Sequence, residues 1–420
     1  MSERIEIISP VDGSVYAQRP VATDGEVEAA LARARAAQAE WRGVAIAERG
    51  RLMLAALDAM LAMKDDITTE LAWQMGRPVR YGGELGGLEE RLRWCVDNAA
   101  EALEPIEITA QPGLRRYIRR EPAGVIFVIA PWNYPYLTAV NAIVPALLSG
   151  SAVVHKAASQ TLLVGERFQA SFDEAGLPAG LFQNLVLSHR QAERLIADSR
   201  IDHVNFTGSI EGGRAIEKVA AGTFASLGLE LGGKDPAYVR ADADIDPAIE
   251  TLVDGTFFKS GQCCCGVERI YVHEKVYREF VDGFVDLTRQ YVLGDPLDEA
   301  TTLGPMANAK GADFVREQAR AATRSGAKAH INPKDFGRDA EASPYCAPQV
   351  LTKVNHQMWL MREESFGPVV GIMKVADDEE AIKLMNDSQY GLTASIWTGD
   401  ADLAAAIGDR IETGTVFMNR

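Results

Sequence analysis

Apolar segments that alternate with a helix-like segment between residues 124 and 206 constrain the fold of this chain more than any other feature. Residues 124–130, with the sequence GVIFVIA, are apolar throughout, which is typical of a strand buried on both faces. A helix-like stretch follows at 137–148, and further strands are predicted at 152–154 and 202–206. This alternation predicts a doubly wound parallel sheet, which binds ligands beyond the carboxyl ends of its strands.

A second series of strands and a hairpin extend this organisation. The later strands are predicted near 269–272, 369–372 and 394–397. Alternating segments at 106–109 and 117–120 flank the turn residues Gln111-Pro112-Gly113, which predicts a hairpin. A hairpin alone is marginally stable, so we expect it to add to another element.

The length of 420 residues predicts two or three domains. We place the first domain at 1–103 and 123–232, the hairpin at 104–122 and the second domain at 233–420. A capping box at Thr23 and Glu26 marks the start of a helix in the first domain.

Composition and charge exclude several classes of function. The net charge is −16, which disfavours nucleic acid or an anionic membrane as a partner. No secretory signal and no apolar run of membrane-spanning length is visible, and the five cysteines lack the spacing of a disulfide framework. We therefore expect a cytoplasmic protein. The six histidines show no metal-ligand spacing, and we predict no metal site.

Three adjacent cysteines, Cys263, Cys264 and Cys265, follow Gly261 and Gln262. Free cysteines are often buried as small apolar residues, and they also serve as metal ligands, disulfide partners or nucleophiles. Adjacent side chains converge poorly on one tetrahedral ion, and the other two cysteines are isolated in the sequence. The triplet by itself therefore leaves packing and catalysis as the main alternatives.

Six segments occur together in one order and resemble motifs of the NAD(P)-dependent aldehyde dehydrogenases. They are PWNYP at 131–135, VHKAASQT at 154–161, NFTGSIEGG at 205–213, LELGGKDP at 229–236, GQCCC at 261–265 and EESFGPV at 363–369. Each segment is weak alone, but their shared order makes coincidence improbable. The resemblance covers nearly the whole chain.

The resemblance implies three catalytic residues. Cys264 would attack the aldehyde carbon as a thiolate, and the amide of Asn133 would stabilise the oxyanion as a neutral donor. Glu230 would activate the water that releases the acid. Because Glu230 stands between leucines, we expect it to be buried, which would raise its pKa.

The resemblance also implies NAD or NADP as cofactor and an aldehyde dehydrogenase-like α/β fold. That fold has a doubly wound parallel-sheet cofactor domain, a second α/β catalytic domain and a small β oligomerisation hairpin. The implied cofactor-binding residues are Trp132, Lys156, Ser159, Thr207, Gly208, Ser209, Gly213, Leu231, Glu364 and Phe366.

Two positions depart from the family pattern. Ser159 stands where NAD-preferring members usually carry Glu, so we expect NADP to be used at least as well as NAD. Family members continue past the segment GTVFMN at 414–419, and we expect this chain to lack their C-terminal segment. We expect a homodimer or homotetramer, weakened by the absence of the final strand.

Two alternatives stay open. A CoA-acylating dehydrogenase would cleave the thioester with CoA, although Glu230 argues against it because that reaction needs no water-activating base. A dinucleotide-binding relative with little turnover is the other alternative.

Overall fold

The computed structural model describes residues 3–109 and 111–420, which form two compact units. The first unit contains the chain up to Ile8, Val15–Leu71 and Gly82–Leu231, and the second contains Ser9–Ser14, Ala72–Tyr81 and Gly232–Arg420. The break after Leu231 lies next to the predicted boundary at 232/233. Two short segments that we had grouped with the first domain belong to the second unit.

The segment 72–81 belongs to the second unit because both its backbone and a side chain form hydrogen bonds there. The Val79 N–H donates to the Pro296 carbonyl at 2.8 Å, and the Tyr81 hydroxyl donates to the Thr302 carbonyl at 2.9 Å. These partners are distant in sequence, so no local pattern could predict the pairing.

The first unit alternates strands and helices around a parallel sheet. Its strands are β1 (Arg4–Ile8), β2 (Val15–Pro20), β3 (Ile106–Glu107), β4 (Tyr117–Ile118), β5 (Val125–Ile129), β6 (Ala152–Lys156), β7 (Phe182–Asn184), β8 (His203–Thr207) and β9 (Ser226–Glu230). Its helices are α1 (Asp24–Trp41), α2 (Ile46–Ala62), α3 (Lys64–Met75, which continues into the second unit), α4 (Leu85–Ala102), α5 (Pro135–Ser149), α6 (Leu163–Glu174), α7 (His189–Ile196) and α8 (Ile210–Ala220).

The central sheet of this unit has the order β7-β6-β5-β8-β9, and every pairing is parallel. All residues of β5 and β6 are buried, as expected for apolar strands covered on both faces. The predicted strands at 124–130, 152–154 and 202–206 correspond to β5, β6 and β8. The doubly wound α/β class is therefore confirmed, and the strand order reverses between β5 and β8.

Two local predictions are also confirmed in this unit. Thr23 caps α1, and its side chain and Glu26 form both bonds of the capping box. The hairpin exists as β3 and β4, which pair antiparallel through Ile106 with Ile118 and Glu107 with Tyr117. It is shorter than the sequence pattern indicates.

The second unit is built on a seven-stranded sheet. Its strands are β10 (Asp235–Val239), β11 (Val267–His273), β12 (Lys328–Ala329), β13 (Gln349–Thr352), β14 (Val369–Val375), β15 (Thr393–Trp397) and β16 (Thr415–Met418). Its helices are α9 (Ile245–Phe257), α10 (Tyr277–Thr288), α11 (Ala309–Arg324), α12 (Trp359–Arg362), α13 (Asp378–Asn386) and α14 (Ala401–Gly408). Short 3-10 turns occur at Val79–Tyr81, Ser159–Thr161, Phe258–Gly261 and Pro333–Asp335.

This sheet has the order β12-β13-β14-β11-β10-β15-β16, and only the β12–β13 pair is antiparallel. Its two faces carry separate apolar clusters. Tyr238 and Tyr271 pack on one face, whereas their neighbours Val239 and Val272 pack on the other beside Phe257. This alternation follows from the two-residue period of a strand, and it fixes the ends of α9 and β11 around the cysteine segment.

Within residues 3–109 and 111–420, no helix combines the length and apolar character that crossing a membrane requires.

Candidate active site

In the first unit, the predicted site residues lie along the carboxyl edge of the parallel sheet. Trp132 and Asn133 follow β5, and Lys156 ends β6. Thr207 ends β8 and pairs with Glu230, which ends β9. The fold therefore brings together residues that are almost 100 positions apart in sequence, at the edge where doubly wound sheets bind ligands.

The turn from β8 into α8 suits an anionic group. Ser209 caps α8 by accepting a hydrogen bond from the Gly212 N–H at 3.1 Å. Gly213 lies so close to Leu231 that an added Cβ would approach its Cδ2 to 2.6 Å. The N–H groups of a helical first turn and the positive end of the helix dipole attract phosphate, so this turn fits a pyrophosphate.

Lys156 and Ser159 differ in exposure. Lys156 is buried at the end of β6, and burial lowers the pKa of its ammonium group. Ser159 begins a 3-10 turn and is exposed. The Lys156 ammonium donates to the Ala157 carbonyl at 3.5 Å. An ammonium group carries three N–H donors, so it can also bind a ribose hydroxyl.

The loop that carries Asn133 is held by Glu84, a residue that the sequence analysis missed. Asn133 is buried immediately before α5. The Glu84 carboxylate accepts hydrogen bonds from the N–H groups of Tyr136 and Leu137 at 3.2 and 3.1 Å. A carboxylate at a helix N-terminus is stabilising, so Glu84 fixes the start of α5. Glu84 has a left-handed φ of 68°, which no local pattern signals.

The expectation that Glu230 is buried is wrong, because its side chain is exposed in this structure. β9 is an edge strand of the sheet. Its two end residues, Ser226 and Glu230, are exposed, and the three residues between them are partly buried. The alternation of a strand sends Glu230 away from the neighbouring leucines. Its carboxylate is therefore accessible to water at the end of the strand.

In the second unit, the cysteines follow a strained turn. Lys259, Ser260 and Gly261 have successive φ values of 53°, 57° and 68°. Left-handed non-glycine residues persist only where their surroundings hold them, and they cluster at functional sites. Lys259 and Ser260 are both buried, and the Ser260 hydroxyl donates to the Gly304 carbonyl at 2.7 Å.

A side chain just before the triplet also holds the turn. The Gln262 Oε1 accepts a hydrogen bond from the Ala307 N–H at 2.8 Å. The sequence after this point runs directly into β11, which begins at Val267. The cysteines thus occupy a short, anchored connection between α9 and β11.

The three thiols converge, contrary to the expectation that adjacent cysteines diverge. Their Sγ atoms all lie within 4.8 Å of one another, and those of Cys263 and Cys265 are 3.3 Å apart. Cys263 and Cys264 are half-buried, and Cys265 is exposed. The tight turn, which follows the left-handed residues, folds the triplet back on itself.

The surroundings disfavour the thiolate form of Cys264. The bond with Cys263 raises the pKa of Cys264 to about 12, and burial contributes in the same direction. The thiol of Cys265 also has a raised pKa, first because of Cys263. A nucleophilic role for Cys264 therefore requires a base that takes its proton.

Glu364 and Phe366, the two predicted cofactor residues of this unit, lie on a segment tied to the cysteine turn. The Gly233 N–H donates to Glu364 at 3.0 Å, and burial raises the pKa of Glu364 to about 7. Phe366 has a left-handed φ of 49°. An added Cβ on Gly261 would overlap the Gly367 carbonyl oxygen, so the two segments touch through backbone.

A buried ion pair that the sequence analysis also missed connects these segments. The Lys234 ammonium lies 2.5 Å from the Glu268 carboxylate and donates to the Ser365 hydroxyl at 3.0 Å. Glu268 further accepts from the N–H groups of Ser365 and Phe366 at 2.7 and 2.8 Å. Charged residues are buried when they are paired in this way, but sequence does not identify the partner.

Gly261→Ala should destabilise the second unit strongly, because the methyl group would overlap the Gly367 carbonyl and displace the cysteine turn. We expect the free energy of unfolding to fall by roughly 3 kcal/mol. Gly176→Ala is the matched control, since its φ is 75° and nothing lies within 4 Å of the added Cβ. The free energy of unfolding of this control should fall by only about 1 kcal/mol, which is the cost of placing alanine in the left-handed region. Urea unfolding measures both, and equal losses would contradict the close approach.

Residues of each unit fit parts of a dinucleotide. In the first unit, the α8 turn fits phosphates and the buried Lys156 fits a ribose hydroxyl. In the second unit, the Glu364 carboxylate can accept bonds from ribose hydroxyls. The assignment of individual cofactor contacts stays a prediction.

Comparison with known proteins gives consistent matches over the full chain. The family model described as "Aldehyde dehydrogenase family" matches residues 1–420. A succinate-semialdehyde dehydrogenase [NADP(+)] of Mycobacterium avium is 33% identical over 419 residues, covering 99% of this chain and 88% of the relative. An aldehyde dehydrogenase of Paenarthrobacter nicotinovorans is 35% identical over 420 residues, covering 99% and 91%.

Solved structures match equally well. The succinic semialdehyde dehydrogenase of Streptococcus pyogenes, solved with NADP+, has a TM-score of 0.93 at 29% identity, covering 99% of this chain and 91% of that one. The NADP-dependent glyceraldehyde-3-phosphate dehydrogenase of Bacillus halodurans, solved with NADP, has a TM-score of 0.92 at 32% identity, covering 99% and 87%.

Proposed function

This chain belongs to the aldehyde dehydrogenase family, and we propose that it oxidises its aldehyde through a covalent intermediate on Cys264, with Glu230 as base and Asn133 as oxyanion donor. The reaction converts an aldehyde to a carboxylic acid with reduction of NAD(P). The observation that carries the proposal is the half-buried Cys264 thiol on an anchored, left-handed turn. A rigid backbone positions a nucleophile, and strained turns of this kind cluster at functional sites.

The first step forms the covalent bond. Cys264 loses its thiol proton to a base, and the thiolate sulfur attacks the aldehyde carbon while the carbonyl oxygen becomes an oxyanion. The Asn133 amide and the Cys264 backbone N–H would stabilise this oxyanion, each contributing about 3 kcal/mol. A neutral amide suits this role because it is polar without adding a charge of its own.

The second step releases the product. Bound NAD(P) would supply the acceptor for the hydride that leaves the former aldehyde carbon, and the Cys264 sulfur is then held in a thioester. Glu230 takes a proton from water, the hydroxide attacks the thioester carbon, and the C–S bond breaks to give the acid and the thiolate. The exposure of Glu230 supports this role, because its carboxylate can reach water directly.

We propose succinate semialdehyde as the first substrate to test, because relatives over the full chain carry that name. The test follows reduced-cofactor absorbance with a panel of short aldehydes, with and without a terminal carboxylate and with and without CoA. Oxidation without CoA supports the hydrolytic mechanism. Strict dependence on CoA would favour the acylating alternative, and no turnover with any aldehyde would contradict the proposed function.

Ser159→Glu should shift cofactor use from NADP towards NAD. At about 5 Å and an effective dielectric of about 20, a carboxylate repels each phosphate charge by roughly 3 kcal/mol, which is about a hundredfold in affinity. Ser159 is exposed beside the end of β6 and lacks this charge. Ser159→Gln, a neutral side chain of similar size, is the control. A hundredfold preference of the wild-type protein for NAD would contradict the prediction. An unchanged ratio of NADP use to NAD use in Ser159→Glu would also contradict it.

We also propose that the chain forms a homodimer or homotetramer through the β3–β4 hairpin. Apolar side chains on and beside this hairpin are exposed, including Ile106, Leu114 and Ile118. Such exposure favours a protein contact. Sedimentation at several concentrations tests this, and a monomer throughout would contradict it. The five cysteines form no disulfide framework, which suits the reducing cytoplasm, and we propose the cytoplasm as the location.

A further inference from the structure

The convergence of three thiols has a consequence beyond nucleophilic catalysis. Among the residues that the structure describes, Cys263, Cys264 and Cys265 form a group of metal-ligating side chains whose donor atoms all lie within 4.8 Å of one another. Three thiols are not needed for attack on a carbonyl carbon, which uses one sulfur. The other two therefore call for an explanation of their own.

The sulfur spacing matches the coordination of a soft cation. With a Zn–S distance of about 2.3 Å, the sulfurs of a tetrahedral zinc site lie about 3.8 Å apart. The observed 3.3 Å between Cys263 and Cys265, together with the 4.8 Å limit for the triplet, brackets that spacing. Small rotations of the three side chains would complete one face of a tetrahedron.

Metal binding also accounts for the thiol protons. The thiolate is the form of cysteine that ligates a metal, so a cation that binds the three sulfurs displaces their protons to solvent.

We propose that Cys263, Cys264 and Cys265 form a binding site for a thiophilic cation, with Zn²⁺ as the occupant and the fourth coordination position open to water. Thiolate ligands select soft metals such as zinc over Mg²⁺ or Ca²⁺. Three S–Zn bonds form, and the three S–H protons leave. The functional consequence rests on the proposed role of Cys264 as nucleophile. Bound zinc occupies the sulfur lone pair that attacks the aldehyde, so zinc inhibits the enzyme reversibly.

The direct test is titration of the reduced, metal-free full chain with Cd²⁺, a zinc analogue with a thiolate-to-metal absorption band. We expect saturation at one equivalent, displacement by Zn²⁺ and no displacement by Mg²⁺. Cys263→Ser and Cys265→Ser should each weaken binding by at least about tenfold. Cys95→Ser is the matched control, because Cys95 belongs to α4 of the first unit, and it should leave binding unchanged. No saturable band, or a band unaffected by the triplet variants, would overturn the site.

A second measurement uses only the wild-type protein and so does not depend on variants that fold. Zn²⁺ should protect all three cysteines of the triplet from alkylation, measured by mass spectrometry of the peptide, while Cys95 reacts as before. Equal alkylation of the triplet with and without zinc would overturn the site.

Activity separates this inference from the proposed function. Stoichiometric Zn²⁺ should abolish aldehyde oxidation, and a chelator should restore it. A cadmium band in a protein that oxidises no aldehyde would contradict the proposed function and leave the site standing. Undiminished turnover at saturating zinc would overturn the inhibitory role.

Discussion

Cys264→Ala should abolish aldehyde oxidation, with a loss of at least roughly a thousandfold in kcat/KM, because the proposed covalent intermediate forms on its sulfur. Stopped-flow and steady-state absorbance of the reduced cofactor measure this. The protein should remain folded, since Cys264 is only half-buried and lies in a turn outside both apolar clusters of its unit.

Substitutions of the two neighbouring cysteines are the controls, and their activities should differ in a predicted order. The bond with Cys263 is the main cause of the raised pKa of Cys264, whereas the bond with Cys265 lowers it. Cys263→Ala should therefore keep or increase the rate at neutral pH, and Cys265→Ala should reduce it while leaving a substantial fraction. A Cys263→Ala protein that is folded but as inactive as Cys264→Ala would show that the nucleophile is misassigned.

Glu230→Gln should keep the first turnover and lose the steady rate. The amide cannot accept the proton of water, so the thioester accumulates after one burst of reduced cofactor. General bases typically contribute about a hundredfold or more to the rate, and we expect a loss of that order in kcat. Rapid mixing with excess substrate separates the burst from the steady phase.

Glu217→Gln is the matched control, because Glu217 is an exposed carboxylate on α8 and the substitution removes the same charge. It should change neither phase. If Glu230→Gln loses the burst together with turnover, the carboxylate acts earlier, as the base that takes the proton from Cys264. The raised pKa of that thiol makes this the specific alternative to test.

Local sequence patterns determined the α/β class, the strands β5, β6 and β8, and the capping box of α1. These features are encoded in contiguous residues: apolar runs, periodicity and a four-residue cap. The order of the motifs was also enough to indicate the family, because each motif is a short segment beside a strand end. The family is confirmed by the match over residues 1–420.

Other strands were missed for a related physical reason. β7 has three residues, and β9 is a partly exposed edge strand containing Gly228, so neither presents a continuous apolar run. Their existence depends on pairing with β6 and β8, which are distant in sequence. The same edge position explains why the flanking leucines of Glu230 did not predict its exposure.

Tertiary structure alone decided the arrangement of the reactive groups in each unit. The three thiols converge in a turn closed by the Gly266 N–H, which donates to the Cys263 carbonyl at 3.1 Å. This turn follows the left-handed residues Lys259 and Ser260, and distant backbone holds Ser260 in place. The Lys234–Glu268 pair joins residues 34 positions apart, and Glu84 caps a helix 52 positions away. Sequence specifies which chemical groups the chain carries, whereas their directions and burial follow from long-range packing and hydrogen bonds that no local pattern contains.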